Sequence, residues 1–225
     1  MKRKSWFIAA LLIFIVLLDQ SIKIYIKLHY PLGEVARLSD WCILYFTENP
    51  GMAFGVEWGG LYGKLALSVF RIIASIAGFF YLIHIIKKKY HFIYIVSITL
   101  ILAGTIGNIL DSVFYGVLFT ESTEWQTATW AGNENGYAGW LEGHVVDMFY
   151  FPIFHGYYPN WIPFLGGKEF LFFRFIFNLA DASITVGVAL LFLFRKKWEP
   201  VVSGNKKTNE LPVSVEKANS SENKS

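Results

Sequence analysis

The run FLFFRFIFNLADASITVGVALLFLF, residues 170–194, decides the fold. It is nearly all Leu, Phe, Ile, Val and Ala, broken by Arg174, Asn178 and Asp181. About 20 predominantly apolar residues are enough for a helix to cross a bilayer, so the run predicts a membrane span. Three more stretches read the same way, at roughly 6–26, 61–86 and 92–119. Composition agrees with them. Hydrophobic residues make up 54% of the 225 and charged residues 16%, against about 45–50% and about 25% in an ordinary soluble domain. The expected fold is a membrane all-α architecture of four transmembrane helices, with a small outer-surface β-element and a long outer loop before the fourth helix.

The first span follows Lys2, Arg3 and Lys4, as a cleavable signal peptide would. Its apolar run is too long for one, and it ends in Asp19, Gln20 and Lys23 rather than in small residues, so a retained anchor is expected. Lys87, Lys88 and Lys89 separate spans two and three, and Arg195, Lys196 and Lys197 follow span four. With four spans all three basic clusters fall on one side, which the positive-inside rule makes cytoplasmic. The loop at about 120–169 has Lys168 as its only Lys or Arg and belongs outside. Residues 28–60 carry Pro31, Gly33, Pro50, Gly51, Gly55, Gly59 and Gly60 around apolar runs such as 41–46, the pattern of short strands and turns. Residues 1–198 thus form the spanning domain. Residues 199–225, rich in Lys, Asn, Ser and Glu, are expected to be a disordered cytoplasmic tail.

Several chemistries lose support at this point. The net charge of +3 is spread over short clusters at span ends, which speaks against nucleic-acid binding. Cys42 is the only cysteine, so there is no internal disulfide, and no Cys/His spacing suggests a zinc site.

Polar groups inside a span are costly and mark a functional site by default. Asp19 and Lys23, four apart, share a helix face and can pair. Asn108 and Asp111 follow Gly104 and Gly107 in span three, and Asn178 and Asp181 repeat the same spacing in span four. At about 1.5 Å per residue from the basic ends, Asp19 and Asp181 lie roughly 21 Å up, Asn178 about 25 Å and Asp111 about 29 Å. Three helices therefore place carboxylates or carboxamides in one layer, as an outward-opening polar pocket requires. Some of these residues have simpler readings: a structural Asp19–Lys23 ion pair, or interhelical hydrogen bonding by Asn108 and Asn178. Asp181 stands out, with no basic residue within four positions. On the residues alone, Asp147 is an ordinary loop acid and His144 an ordinary loop histidine.

The motifs, taken in order, resemble the lipoprotein signal peptidase (type II signal peptidase) family. That family shows DQxxK, NxGxAFG, GxxGNxxDR, VVD and FNxAD in sequence. This chain has DQSIK at 19–23, NPGMAFG at 49–55, GTIGNILDS at 104–112, VVD at 145–147 and FNLAD at 177–181. The resemblance implies an intramembrane aspartic endopeptidase with Asp147 and Asp181 as the catalytic pair. Asn49, Gly51, Asn108, Asp111, Asn178, Asp19 and Lys23 fall on the residues that bind substrate or support the site. The implied substrate is a bacterial prolipoprotein whose diacylglyceryl-modified cysteine follows the cut. Membrane lipids and the cyclic peptide globomycin are implied partners, with no metal or organic cofactor, at the bacterial inner membrane. Two departures stand out: Ser112 replaces the family arginine, with Arg174 the nearest substitute, and an extra stretch occupies about 120–142.

Two other classes fit the intramembrane acids less well. A proton-coupled transporter using Asp19, Asp111 and Asp181 would not confine them to one half of the membrane, and no repeat is visible. A purely structural membrane subunit leaves the layer of carboxylates unexplained.

Overall fold

The computed structural model describes residues 2–50, 60–132, 136–152, 154–172 and 175–197. Gly51, Arg174 and the tail at 199–225 lie outside the described residues. Helix α1 (Lys2–His29) leads into a hairpin of β1 (Val35–Ser39) and β2 (Cys42–Asn49). Helices α2 (Gly60–Lys87) and α3 (Phe92–Leu110) follow. Beyond α3 the chain makes a π-helical turn, Asp111–Tyr115, and one more α-turn, α4 (Gly116–Leu118). Strands β3 (Val145–Tyr150), β4 (Phe154–Tyr157), β5 (Glu169–Phe172) and β6 (Ile176–Phe177) precede α5 (Leu179–Leu193).

Among the described residues, three helical stretches are long and apolar enough to cross a membrane: Arg3–His29, Tyr62–Lys87 and Phe92–Leu118. Their outward faces carry Phe14, Leu17, Phe70, Ile73 and Phe80 exposed, as expected of surfaces that meet lipid rather than water. The fourth span needs correction. The apolar run at 170–194 is not one helix: Glu169–Phe172 pairs with β4, Ile176–Phe177 pairs with β3, and helix begins only at Leu179. The cause is local. Asn178 is extended and caps α5 in a reciprocal box with Asp181, which stops the helix from running further back. At 15 residues, α5 is a shorter apolar helix. It spans about 22 Å.

Helix α3 packs against α1, α2 and α5. Glycines set the spacing. A Cβ on Gly104 would run into the backbone carbonyl of Ala180, and one on Gly107 would lie 2.6 Å from the Asp19 carboxylate. Small residues of this kind let helix backbones approach closely in a membrane.

The β-element is larger than residues 28–60 alone suggest. It is a four-stranded antiparallel sheet in the order β1-β2-β3-β6, with β4 and β5 forming a separate pair. Asp147 therefore sits in a central strand and not on a loop, a second correction. The register shifts between Leu44 and Thr47, so that Leu44 faces Phe149 but Thr47 faces Asp147. A bulge of this kind re-aims the side chains beyond it. One face of the sheet buries Leu44, Phe46, Val146 and Met148 against Ile26, Tyr115, Phe119 and Ala128. The other face presents Thr47, Asn49 and Asp147.

The extra stretch at about 120–142 folds back along the end of α3. Ala131, Tyr137 and Ala138 donate backbone hydrogen bonds to the carbonyls of Leu118, Phe119 and Gly116, and Gly143 donates to Ser112 at 2.9 Å. Gly143 is required there, since a Cβ would collide with the Asp111 carbonyl. The stretch is thus a strap that returns the chain to β3 beside the π-turn.

Candidate active site

Lys23 organises the floor of the site. Its ammonium is fully buried and lies 3.0 Å from Asp19 Oδ2 and 2.7 Å from Asp111 Oδ2. It also donates to Asn108 Oδ1 at 2.8 Å. The three N–H donors of an ammonium thereby match three acceptors from α1, α3 and the π-turn. Asp19 and Lys23 are therefore not an isolated helix pair. Lys23 also supplies the basic partner that Asp111 lacks next to it in sequence, because Ser112 instead bonds back to the Asn108 carbonyl at 3.1 Å. Gln20, half-buried beside them, donates to Asp111 Oδ1 at 2.8 Å and to the Gly107 carbonyl at 3.1 Å. Tyr115 in turn donates to Gln20 Oε1 at 3.2 Å.

The floor is tied to the elements above it through backbone groups. Asp19 Oδ1 accepts from the Ala180 N–H at 2.8 Å, near the start of α5. Asp111 Oδ2 accepts from the Val146 N–H at 3.3 Å, the residue before Asp147. The two buried acids thus each hold one of the chain segments that carry Asp147 and Asp181.

Asn108 and Asn178 join the two upper carboxylates. Asn178 Nδ2 donates to Asp147 Oδ1 at 2.6 Å and to Asn108 Oδ1 at 3.1 Å. Asn108 Nδ2 donates to Asp181 Oδ1 at 2.8 Å. Asn49 Nδ2 reaches Asp147 Oδ2 at 3.4 Å, the diagonal cross-strand position that the register provides. Asp147 is 4% exposed. Burial, followed by the nearby charge of Asp181, pushes its carboxyl up to about 7, against the opposing pull of Asn178, Lys23 and Asn49. Asp181 stands in the first turn of α5 and keeps partial contact with the surface.

Of the residues singled out in the sequence, Asp19, Lys23, Asn49, Asn108, Asp111, Asp147, Asn178 and Asp181 meet in one hydrogen-bonded network. Gly51 and Arg174 fall outside the described residues. Sequence reasoning gave no role to Gln20, Tyr115 or Arg71. Arg71, on α2, lies within the electrostatic field of Asp181. The rule that flagged the acids, an ionisable residue inside an apolar span, applies to Arg71 equally. Gln20 was visible as the second letter of its motif but carried no charge to draw attention.

Two carboxyls tied into one network by carboxamides, one of them buried and pushed up by the charge of the other, can perform acid–base chemistry on a bound group. Comparison with known proteins adds the family. The family described as Signal peptidase (SPase) II matches residues 11–195. The chain is 43% identical over 202 residues to the lipoprotein signal peptidase of Porphyromonas gingivalis strain ATCC 33277, covering 89% of this chain and 88% of that one. It is 32% identical to the lipoprotein signal peptidase of Amoebophilus asiaticus, covering 87% and 80%. Among solved structures, a bacterial membrane enzyme determined by the in meso method at 2.3 Å resolution superposes with a TM-score of 0.53 at 22% identity, covering 91% of this chain and 93% of that one. A second such enzyme, at 1.9 Å resolution, gives 0.52 at 24% identity, covering 83% and 90%; these two matches support the fold. With the family match spanning most of its length and relatives this similar, the chain belongs to the signal peptidase II family.

Proposed function

We propose that this protein is an intramembrane aspartic endopeptidase that removes signal peptides from diacylglyceryl-modified prolipoproteins, cutting before the lipid-bearing cysteine. The observation that carries this reading is the Asp147–Asn178–Asn108–Asp181 relay. The catalytic pair is Asp147 and Asp181. Neighbouring carboxyls cannot both ionise cheaply, so one proton is held between them. The ionised member removes a proton from water as the water oxygen attacks the scissile carbonyl. The protonated member hydrogen-bonds the carbonyl oxygen as it gains negative charge. Collapse of the tetrahedral adduct breaks the C–N bond, and the nitrogen leaves with a proton returned from the pair. The pair titrates as a unit, with burial and the charge of Asp181 raising the Asp147 carboxyl, and neither residue is given a fixed role.

Asn49, Asn108 and Asn178 orient the carboxylates, and Asp19, Lys23 and Asp111 fix the floor. Gly51 stands two positions after Asn49 in its motif and is assigned to substrate binding or site support on the family pattern. The exposed apolar faces of the helices suit membrane lipids and the acyl chains of the substrate. A cyclic peptide of the globomycin type would occupy the same site as the substrate peptide. The basic clusters at 2–4, 87–89 and 195–197 support an inner-membrane orientation with both termini cytoplasmic and the pair toward the periplasm.

Purified protein in detergent, given a diacylglyceryl-modified prolipoprotein peptide and its unlipidated counterpart, tests the substrate assignment. The expected product is a peptide beginning with the lipid-bearing cysteine, formed from the lipidated substrate alone. Equal cleavage of both peptides, or a cut elsewhere, contradicts it.

A further inference from the structure

A second buried charge cluster lies on the opposite side of the sheet from Asp147. Lys27, one helical turn beyond Lys23 on α1, is fully buried. Its ammonium lies 2.5 Å from Glu48 Oε1 and 3.0 Å from the Ser122 hydroxyl. Ser122 also donates to Glu48 Oε1 at 2.6 Å. The other Glu48 oxygen accepts from His144 Nδ1 at 3.3 Å. Tyr137 closes the cluster: its ring lies 4.8 Å from the Lys27 ammonium, and its hydroxyl accepts from the His144 N–H at 2.6 Å. Ser122 and Tyr137 both belong to the strap, the stretch for which the sequence offered no chemical role.

The register explains what this cluster controls. Glu48 pairs with Val146, and its neighbour Asn49 pairs with Val145. Side chains alternate between faces along a strand, so Glu48 points away from the site while Asn49 points into it. His144 similarly lies just ahead of β3, three residues before Asp147. A shift of Glu48 or His144 is passed through one peptide or one short strand segment to Asn49 and Asp147. Beyond the bulge, the β2–β3 pairing among the described residues ends at Asn49–Val145.

We propose that Glu48, held directly by Lys27, His144 and the strap residue Ser122, and through Lys27 and His144 by the strap residue Tyr137, is a positioning residue that sets Asp147 against Asp181 from behind the sheet. The strap is then a splint for the catalytic strand. The inference rests on Asp147 and Asp181 being the catalytic pair. The charge state supports the geometry: burial works against ionisation of Glu48, but His144, Lys27 and Ser122 hold its carboxyl down to about 2, so Glu48 stays ionised throughout the working range of the pair.

The test uses the full chain in detergent with a lipidated prolipoprotein peptide, comparing Glu48→Gln, Ser122→Ala and Tyr137→Phe with wild type and with Asp147→Asn. Rates are normalised to the folded fraction from thermal unfolding; Ser122→Ala and Tyr137→Phe each remove only a single hydroxyl. A misplacement of reacting groups by an ångström or less lowers the rate far more than it lowers binding, so kcat should fall about 10-fold or more with KM within about twofold. The alkaline limb of the pH–rate profile should also move, since Asp147 would no longer sit at the same distance from Asp181, Asn178, Asn49 and Lys23. If kcat and the alkaline limb stay at wild-type values in all three variants while Asp147→Asn is inactive, the positioning role is overturned and the pair stands. A fall in kcat with no movement of the limb likewise overturns it, reducing the cluster to a structural anchor. If Asp147→Asn cleaves at the wild-type rate, the pair itself is overturned.

Discussion

Lys23 carries more of the site than any other single side chain, because its ammonium lies between two buried acids. Lys23→Met would leave Asp19 and Asp111 side by side without a counter-charge and remove the donor to Asn108. Removing one partner of a buried ion pair costs about 3–5 kcal/mol. Thermal unfolding in detergent should show a loss of that order, and a loss under about 1 kcal/mol would match an exposed pair instead. Asp147 gives a prediction of the opposite sign. Its folded-state pKa of about 7 stands above the ordinary 3.8. The folded state therefore prefers the protonated carboxyl, and the associated stability is fully present below about pH 4 and lost as pH rises through about 7. Asp147→Asn cannot ionise, so it should unfold at a higher temperature than wild type at about pH 8, with the difference shrinking toward about pH 4. A difference that grew on acidification would contradict the assignment. For activity, the alkaline limb of kcat should fall near pH 7, where the pair loses its shared proton.

Among the elements, α3 holds the pieces in place through its glycines. Gly104 faces the Ala180 carbonyl at the start of α5, and backbone cannot yield there as a flexible side chain would. Gly104→Leu should force α5 away and separate Asn108 from Asp181 and Asn178. Cleavage should drop by about 100-fold or more, as expected when catalytic groups move by about 1 Å. Wild-type cleavage by this variant would show that α3 and α5 do not meet as described. The spans α1, α2 and α3 were legible in the sequence because uninterrupted apolar length is a direct consequence of bilayer thickness. Asp19, Asn108, Asp111 and Asn178 were legible for the same reason, as costly groups in apolar runs. The boundary of α5 was not. Its aromatic approach, Glu169–Phe172 and Ile176–Phe177, is as apolar as a span, and only the pairing with β4 and β3 makes it strand. Asp147 could not be placed by periodicity either, because its strand pairs with a β2 almost a hundred residues earlier. Local sequence does not record such a partner. The strap at about 120–142 was hidden for a related reason: its backbone bonds to α4 and the residue after it, while Ser122 and Tyr137 read as ordinary polar loop residues.

At the scale of the whole molecule, the proposed topology puts the three basic clusters on the cytoplasmic side and the sheet-borne site on the other. In a Cys42→Ser background, a cysteine introduced at Lys88 should react with an impermeant thiol reagent only after the membrane is opened. One introduced at Tyr62, 83% exposed near the sheet end of α2, should react in intact cells with a permeable outer membrane. Labelling in the reverse pattern would invert the protein. The proposed topology matters because it would put Asp147 and Asp181 toward the face where a translocated prolipoprotein presents its signal peptide. The central claim is that Asp147 and Asp181 together perform the hydrolysis. Its most direct test is the rate of prolipoprotein cleavage by wild type, Asp147→Asn and Asp181→Asn, all shown to be folded by thermal unfolding in the same detergent. Each substitution keeps the side chain's shape and removes its capacity to carry the shared proton, so each should reduce kcat by about 1,000-fold or more, consistent with groups that act as a unit. Wild-type rates in both variants would contradict the account.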